Sequence, residues 1–304
     1  MPLAFDRDFA PTHGVVDQLS PLVRRVVAPN PGRFTFTGTG TYLVGRGRVA
    51  VIDPGPALPD HVAALERALD GETVTHLLVT HTHGDHSPAC RALQAATGAP
   101  TYGFGPHPEA DRRPPQGSED DTPQEERADL DFVPDVVVGE GDVIAGDGVT
   151  FDVLHTPGHI SNHLCFALRE ERTLFTGDHV MGWSTTVIPA PDGNLGHYLH
   201  HLRRLLDRDD VRYLPTHGRP IDDPRPFVAG LVAHREERTR QILERLAAGD
   251  ERIDQIVPVL YADVDAALHP AAGRSVLAHL VHLRDEGRVV VDGEPGIDAR
   301  WRLS

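Results

Sequence analysis

Residues 79–89, VTHTHGDHSPA, contain three histidines and one aspartate within six consecutive positions. In an extended chain, side chains two residues apart point to the same side, so His81 and His83 face the same way. The glycine that follows permits a sharp turn, after which Asp85 and His86 reach a neighbouring position. An apolar run, VTHLLVT, leads into the cluster and has the pattern of a buried strand. The sequence therefore predicts a metal-binding loop at the end of a strand.

Three further short segments carry histidine or aspartate beside small, turn-forming residues: TPGH at 156–159, TGDH at 176–179 and PTHG at 215–218. Each is predicted to lie at the end of a strand, and loops there can direct side chains from distant parts of a chain to one point. Nitrogen and oxygen donors without a thiolate are typical of sites for Zn²⁺, with Fe and Mn as alternatives. The four segments hold more such donors than one tetrahedral zinc ion needs. They therefore predict two adjacent metal ions bridged by a carboxylate.

Strand-like and helix-like runs alternate along the first part of the chain, which is typical of an α/β layered fold. The formal net charge of −16 argues against a strong general attraction to nucleic acid or anionic lipid. Two cysteines cannot provide a disulfide framework, and no apolar run approaches the roughly 18 residues that a membrane-spanning helix needs. With an N-terminus that lacks the pattern of a signal peptide, these features predict a cytoplasmic protein that does not enter the membrane.

The predicted organisation has three parts. Residues 1–223 form the layered domain, and residues 103–135 within it form an acidic surface insertion with three arginines and ten carboxylates. Residues 224–251 form a long connecting helix that begins near a proline and is closed by a glycine. Residues 252–304 contain an amphipathic helix followed by two β runs around a Gly/Pro turn, which resembles a winged-helix module.

The four segments, in this order, resemble the metallo-β-lactamase superfamily, whose fold is an αββα sandwich with a dinuclear metal site at one edge. HTHGDH, residues 81–86, matches the HxHxDH pattern of that family at every defining position. The resemblance implies that one metal ion is held by His81, His83 and His159, the second by Asp85, His86 and His217, and both by Asp178. Asp53, in VIDPG, is similar to the family's aspartate that lies behind the ligands and orients them, although an aspartate before Pro–Gly is equally a turn former.

The resemblance extends beyond the metal-binding segments. The long helix HREERTRQILERL and the tail that starts at LAHLVHL are similar to the β-lactamase-like protein 2 branch, which ends in a winged-helix-like domain. That branch includes animal endoribonucleases that act on single-stranded RNA. The implied fold is an αββα sandwich with a small C-terminal winged-helix-like domain, and the acidic insertion has no counterpart that we can align.

The chemistry that the resemblance implies is hydrolysis by a hydroxide that bridges two Zn²⁺ ions, which lower the pKa of water to near 7. Asp85 and Asp178 are the predicted catalytic carboxylates, and Asp178 would also accept a hydrogen bond from the nucleophile. His163, in HISNH, is predicted to donate a hydrogen bond to the substrate oxyanion, unless it is a surface residue near the entrance. Trp183, in WSTTVIPAPDGN, is predicted to line the substrate entrance, or else to pack within a connecting loop.

Three functions are compatible with these residues: hydrolysis of a small-molecule thioester, ester or lactone; cleavage of single-stranded RNA; and non-catalytic regulation through nucleic-acid binding. Phosphate contacts should leave a basic footprint, but residues 252–304 carry six arginines and eight carboxylates. Charge therefore favours the small-molecule hydrolase, with RNA cleavage second. The C-terminal module is then predicted to pack against the core or against the partner in a homodimer.

Overall fold

Two β-sheets packed face to face form the centre of the structure, a computed structural model that describes residues 3–108 and 128–304. Within this described part, the first sheet has seven strands and the second has five, and in each sheet consecutive strands of the chain are neighbours. The first sheet comprises β1 (Val16–Gln18), β2 (Val23–Val27), β3 (Gly40–Arg46), β4 (Arg48–Ile52), β5 (Thr73–Leu78), β6 (Thr101–Gly103) and β7 (Val136–Val137). The second comprises β8 (Val143–Gly146), β9 (Val149–His155), β10 (Leu164–Leu168), β11 (Thr173–Gly177) and β12 (Arg212–Pro215).

The strand directions bring several chain segments to one edge of the sandwich. Strands β4 and β5 are parallel, with Ile52 opposite Leu78, so the residues that follow both strands emerge side by side. In the second sheet, β11 and β12 are also parallel, with Gly177 opposite Pro215. Parallel neighbours end at the same edge, which places VIDPG beside the histidine cluster and TGDH beside PTHG.

Helices cover the outer face of each sheet, giving the αββα order of layers that the sequence predicted. Helices α1 (Pro59–Ala68) and α2 (Cys90–Thr97) follow β4 and β5, and apolar side chains of both pack on the first sheet. Helices α3 (Leu195–Leu205) and α4 (Pro224–Ala247) pack on the second sheet. Strands covered on both faces read as continuous apolar runs in the sequence, because neither face meets water.

The core between the sheets is rich in aromatic side chains. Tyr42, Phe151, Phe166 and Phe175 are each at most 1% exposed, and the rings of Tyr42 and Phe175 meet edge to face with centroids 5.1 Å apart. The hydroxyl of Tyr42 donates a hydrogen bond of 2.6 Å to the carbonyl of Pro215. This bond joins the two sheets at the first residue of the segment PTHG, and so fixes the start of that loop.

The C-terminal residues form a separate apolar cluster on the second half of α4. Helices α5 (Ile253–Leu260) and α6 (His269–Asp285) are followed by the hairpin of β13 (Val289–Asp292) and β14 (Arg300–Leu303). Trp301 of the hairpin is fully buried in this cluster together with Ile242 and Leu246 of α4. The order of helices followed by a hairpin is the winged-helix-like arrangement that the sequence predicted.

Part of the predicted acidic insertion, residues 103–135, falls on residues 109–127, which lie outside the described residues. The end of the insertion that is described carries carboxylates with defined partners. Asp129 accepts a hydrogen bond from the hydroxyl of Ser87 at 2.8 Å, and Asp135 accepts one from Thr101 at 2.8 Å. These two carboxylates therefore attach the end of the insertion to the first sheet and to the histidine loop.

Cys90 and Cys165 are both free and buried. Among residues 3–108 and 128–304, no helix combines the length and the apolar composition that crossing a bilayer requires.

Gly158, in the segment TPGH, is needed for a close approach of two elements. Its φ is +149°, and a Cβ there would lie 2.5 Å from the Cα atom of Tyr198 in α3. We expect Gly158→Ala to lower the free energy of unfolding by about 3 kcal/mol, because backbone has to move to admit the methyl group.

Gly148→Ala is the matched control for this substitution. Gly148 has a φ of +77° and no heavy atom within 4 Å of the position of its Cβ, so only the backbone conformation is strained, at a cost of about 1 kcal/mol. Urea denaturation measures both losses. Equal losses in the two variants would contradict a role for Gly158 in packing.

Candidate metal centre and substrate cleft

Four loops at one edge of the sandwich supply the predicted metal-binding side chains. The histidine cluster follows β5, and TPGH follows β9. Asp178 comes directly after β11, and His217 lies two residues beyond β12. Each side chain is thus attached close to the end of a buried strand, which holds its position more precisely than a long free loop could.

The structure brings the seven predicted donors together in three overlapping groups. In each group, one donor atom from every residue lies within 4.8 Å of the others. The groups are His81, His83 and His159; His81, His86 and Asp178; and Asp85, His86 and His217. All seven residues are buried. Asp178 is therefore located between the histidines of the first group and those of the third.

The distances between donor atoms fit ligands of transition-metal ions. His83 Nδ1 lies 2.9 Å from His81 Nε2 and 3.0 Å from His159 Nε2. His217 Nε2 lies 3.2 Å from Asp85 Oδ2 and 3.4 Å from Asp178 Oδ1. Ligands at about 2.05 Å from a tetrahedral zinc ion are separated by about 3.3 Å, which is within the range of these distances.

Two buried polar atoms in the centre have no hydrogen-bond partner among the described residues: Nε2 of His86 and Oδ1 of Asp178. They lie 3.7 Å apart, too far for a direct hydrogen bond. Leaving buried polar atoms without a partner is costly, so a cation that both could coordinate would relieve that cost. The residues present therefore fit a metal centre.

The protonation states expected from the surroundings differ between the two sides of the centre. Burial lowers the pKa of His83 to about 3, and burial together with the neighbouring imidazoles holds the pKa of His81 well below its usual range. Burial also opposes protonation of His86, but the carboxylates of Asp85, Asp53 and Asp178 outweigh it and raise its pKa. Neutral imidazole is the form that binds metal ions, so the histidine side of the centre is ready for a cation.

Asp53 lies behind the donors and joins its own loop to the loop of the histidine cluster and to PTHG. Its carboxylate accepts hydrogen bonds from the backbone N–H and the hydroxyl of Thr80, both at 2.8 Å, and from the hydroxyl of Thr216 at 3.0 Å. His86 Nδ1 donates to the same carboxylate at 2.9 Å. Asp53 also has a φ of +47°, a conformation that aspartate tolerates better than most residues. It therefore turns the chain and orients His86, so the two interpretations left open by the sequence both apply.

Other histidines among the predicted ligands are oriented by backbone carbonyls. His159 Nδ1 donates to the carbonyl of Val187 at 2.6 Å, and His217 Nδ1 donates to that of Gly38 at 3.2 Å. In both rings the proton on Nδ1 leaves Nε2 free to coordinate a metal ion. These partners could not be predicted from the sequence, because a backbone carbonyl gives no signal there.

Three threonines also contact the centre and were missed. Thr39 donates its hydroxyl hydrogen bond to Asp85 at 3.0 Å, while Thr80 and Thr216 bind Asp53. Thr80 and Thr216 each directly precede a ligand histidine, which is a signal that the sequence offered. Thr39 lies in GTGTY, which carries no such signal.

The structure places His163, the predicted donor to a substrate oxyanion, behind the backbone of Asp178. His163 is fully buried, and both of its ring nitrogens have partners inside the protein. The backbone N–H of Asp178 donates to its Nε2 at 3.1 Å, so Nδ1 carries the proton and bonds to the hydroxyl of Thr156 at 2.8 Å. His163 therefore supports the backbone of Asp178 from behind and cannot reach a substrate.

Trp183 lines the cleft above the metal centre, as expected for a residue at the substrate entrance. Its ring stacks on Phe36, with centroids 4.9 Å apart and an angle of 8° between the planes. Gly218, next to His217, packs against the same indole, since a Cβ there would be 3.3 Å from the ring. The indole is thus held between two loops and forms a fixed wall.

The cleft over the donors has a volume of about 560 Å³ and extends well beyond them. At one end it exposes His83, Asp85, His159, Asp178 and His217. The segment that follows Asp178, from Met181 to Ile188, forms one side. The far end is formed by α4 and by residues between Leu260 and Ala278 of the C-terminal unit. A cavity of this size can hold a small-molecule substrate with its reacting group at the donors.

Comparison with family models assigns most of the chain. Residues 35–217 match the model of the metallo-beta-lactamase superfamily, and residues 253–301 match that of the beta-lactamase associated winged helix domain. The first match contains every predicted metal ligand. The second coincides with the helices and hairpin at the C-terminus.

Several curated proteins are similar over two thirds or more of their length. A lactamase-like protein of Aspergillus niger is 30% identical, over 94% of this chain and 87% of the relative. An atrochrysone carboxyl ACP thioesterase of Cryptosporiopsis sp. (strain 8999) is 29% identical, over 94% of this chain and 86% of the relative. Another atrochrysone carboxyl ACP thioesterase, from Aspergillus chevalieri, is 34% identical over 76% of this chain and 68% of the relative.

Two solved structures match the fold. A metallo-beta-lactamase family protein from Thermus thermophilus has a TM-score of 0.75 at 25% identity, covering 94% of this chain and all of that one. A beta-lactamase domain protein from Burkholderia ambifaria has a TM-score of 0.79 at 22% identity, covering 98% of this chain and 96% of that one. Both matches extend over the sandwich and the C-terminal unit together.

Proposed function

The chain belongs to the metallo-beta-lactamase superfamily of hydrolases, and from this premise we propose that it hydrolyses small-molecule thioesters at a dinuclear zinc centre. Thioester cleavage is supported by two relatives named atrochrysone carboxyl ACP thioesterases, one of which is similar over 94% of this chain. The observation that carries the proposal is the cleft of about 560 Å³, because it exposes donors from both predicted metal positions and continues into an apolar region.

In this proposal the seven donors divide as the family resemblance implies. One ion would be held by His81, His83 and His159, the second by Asp85, His86 and His217, and both by Asp178. The mixture of imidazole and carboxylate donors suits zinc, with iron or manganese as alternatives. Residues 1–223 would form the catalytic unit, 224–251 the connecting helix and 252–304 the winged-helix-like unit that completes the cleft.

The reaction adds water to the thioester carbonyl and releases a carboxylic acid and a thiol. Divalent ions at this centre would lower the pKa of water to near 7 and polarise the carbonyl oxygen. Oδ1 of Asp178, which has no donor among the described residues, would accept a hydrogen bond from the attacking water. Thr186 donates its hydroxyl hydrogen bond to the carbonyl of Asp178 at 2.7 Å and, with His163, keeps that carboxylate in position.

A thioester also depends less on acid catalysis than an oxygen ester does. A thiol leaving group has a pKa of about 8.5, so it departs as a thiolate with little need for a proton donor. An alcohol or an amine is a much poorer leaving group and gains more from a general acid.

One preparation assayed on four substrate classes tests this proposal. The substrates are an acyl thioester, the oxygen ester of the same acid, a lactone and single-stranded RNA. We expect kcat/KM for the thioester to exceed that for the matched oxygen ester by at least about tenfold, because only the leaving group differs. Cleavage of RNA without cleavage of any thioester would overturn the proposal and favour the endoribonuclease alternative.

A further inference from the structure

The cleft continues past the metal centre to an apolar surface of the C-terminal unit. Leu260, Val264 and Leu268 line this far end, and Val264 and Leu268 are 38% and 49% exposed. Large apolar side chains exposed next to a cleft favour contact with an apolar part of a ligand. A substrate whose reacting group lies at the donors would therefore direct a hydrocarbon portion toward this surface.

Arg235 of α4 lines the same cleft and is a buried cation without a counter-ion. It is 4% exposed, and no carboxylate among the described residues lies within the 4.0 Å of an ion pair. One Nη donates to the carbonyl of Thr186, the guanidinium lies 5.6 Å from the ring centre of Tyr198, and Nε has no hydrogen-bond partner in the described chain. Burying an unpaired charge costs several kcal/mol, so an anionic ligand would be strongly favoured there.

Arg238, one turn further along α4, is a second cation that lines the cleft, and it is half-buried. Its Nη1 donates to the carbonyl of Leu260 at 3.1 Å, and its guanidinium lies 4.2 Å from the ring centre of Tyr261. Both contacts hold the arginine against the C-terminal unit without neutralising it. Within the described residues it forms no ion pair, and neither does Asp263, the carboxylate that lines this part of the cleft.

Two arginines of α4 outside the cleft are paired, whereas Arg225, exposed at the start of the helix, forms no ion pair among the described residues. Arg240 forms ion pairs with Glu237 and Glu244, and Arg245 forms one with Asp250. The chain has an excess of 16 negative charges, so partners for Arg235 and Arg238 are abundant in the sequence. That the two cleft arginines of this helix lack partners points to an anion supplied by a ligand.

We propose that Arg235, Arg238 and the apolar surface around Val264 form a subsite for an acyl group that carries a carboxylate at its far end. The hydrocarbon part would lie on Val264 and Leu268, and the carboxylate would bind the two guanidinium groups. The inference rests on the proposed thioester hydrolysis only for the orientation of the ligand, since neither guanidinium group is among the predicted metal ligands.

Matched thioesters of a neutral thiol, N-acetylcysteamine, test the subsite. Succinyl, adipoyl and suberoyl thioesters carry a terminal carboxylate, whereas butyryl, hexanoyl and octanoyl thioesters of the same lengths do not. We expect the wild type to have a lower KM for the carboxylated member of the best-fitting pair, and Arg238→Met to reduce that preference by about tenfold. Arg240→Met removes a charge from the exposed side of the same helix and should leave the preference unchanged.

Two further comparisons make the outcome specific. Arg238→Lys keeps the charge and should retain most of the preference, which separates the effect from a general loss of packing. A preference that follows a charged thiol, measured with butyryl-glutathione against butyryl-N-acetylcysteamine and lost in Arg238→Met, would overturn the assignment of the anion to the acyl group. Equal ratios of KM in wild type and Arg238→Met would overturn the subsite itself.

Non-hydrolysable thioethers separate this inference from the proposed function. Calorimetry measures whether a thioether with a terminal carboxylate binds more tightly than its neutral counterpart, and whether Arg238→Met removes the difference. Binding that depends on Arg238 without hydrolysis of any thioester supports the subsite while the proposed function fails. Hydrolysis of thioesters with no dependence of binding on Arg238 leaves the proposed function standing and rejects the subsite.

Discussion

Replacing Asp178 with asparagine is expected to lower kcat/KM by about a thousandfold, or about 4 kcal/mol in transition-state stabilisation. Oδ1 of Asp178 lies 3.4 Å from His217 Nε2, and Oδ2 lies 3.8 Å from His159 Nε2, so the carboxylate contacts both sides of the proposed centre. Asparagine keeps the shape but loses the charge, and its amide nitrogen cannot coordinate a cation. The variant should also bind less metal, because the bridging anion is missing.

The fold should tolerate this change, because asparagine fills the same volume. Measurements of kcat/KM, metal content and circular dichroism on one preparation distinguish loss of the centre from loss of the fold. Asp210→Asn is the matched control: its carboxylate is 5% exposed and ion-paired with Arg208, but it lies outside the cleft. Asp178→Asn with full metal content and more than a tenth of wild-type activity would contradict the bridging role.

The parts of the centre that could be predicted from the sequence are those determined locally. Extended backbone at residues 81–83 and a turn at the following glycine are properties of a few adjacent residues. The strand ends that carry these segments were equally visible as apolar runs followed by turn-forming residues. The sandwich with its C-terminal winged-helix-like unit could be predicted for this reason, and both parts are confirmed.

His163 illustrates what the local sequence could not reveal. Its side chain direction is set by pairing across the sheet, since the backbone N–H of Thr156 donates to the carbonyl of His163 at 2.9 Å. A Cβ on Gly177 would lie 2.6 Å from Nε2 of His163, so the glycine of TGDH makes the room that the imidazole occupies. Both relationships involve residues outside HISNH, so neither is visible in that segment itself.

The far end of the cleft was also hidden, for a similar reason. The charges of residues 252–304 argued against nucleic-acid binding and predicted packing against the core or a dimer partner. The packing against the core is observed, because Ala278 of α6 joins the apolar cluster of α3, α4 and the second sheet. Leu260 and Val264 reach the cleft because of the angle between α4 and this unit. A sequence pattern does not specify such an angle.

Removing divalent metal ions with a chelator is expected to abolish hydrolysis and to lower the melting temperature. A ligand that binds only the folded chain at a hundred times its Kd stabilises it by about 2.7 kcal/mol. For a chain of this size each kcal/mol corresponds to a few degrees, so the expected decrease is on the order of 5–10 °C. The physical reason is that Nε2 of His86 and Oδ1 of Asp178 are buried without partners unless a cation is present.

The same experiment can distinguish one ion from two. Protein dialysed against chelator is titrated with zinc, manganese or iron(II), and activity and melting temperature are followed at each step. We expect activity to reach its maximum near two ions per chain, because the overlapping donor groups contain seven side chains, more than one ion requires. Asp178→Asn should show a smaller rise in melting temperature, whereas Asp210→Asn should follow the wild type. Full activity in protein freed of metal would refute metal-assisted hydrolysis. Activity that reaches its maximum at one ion per chain would refute only the dinuclear centre.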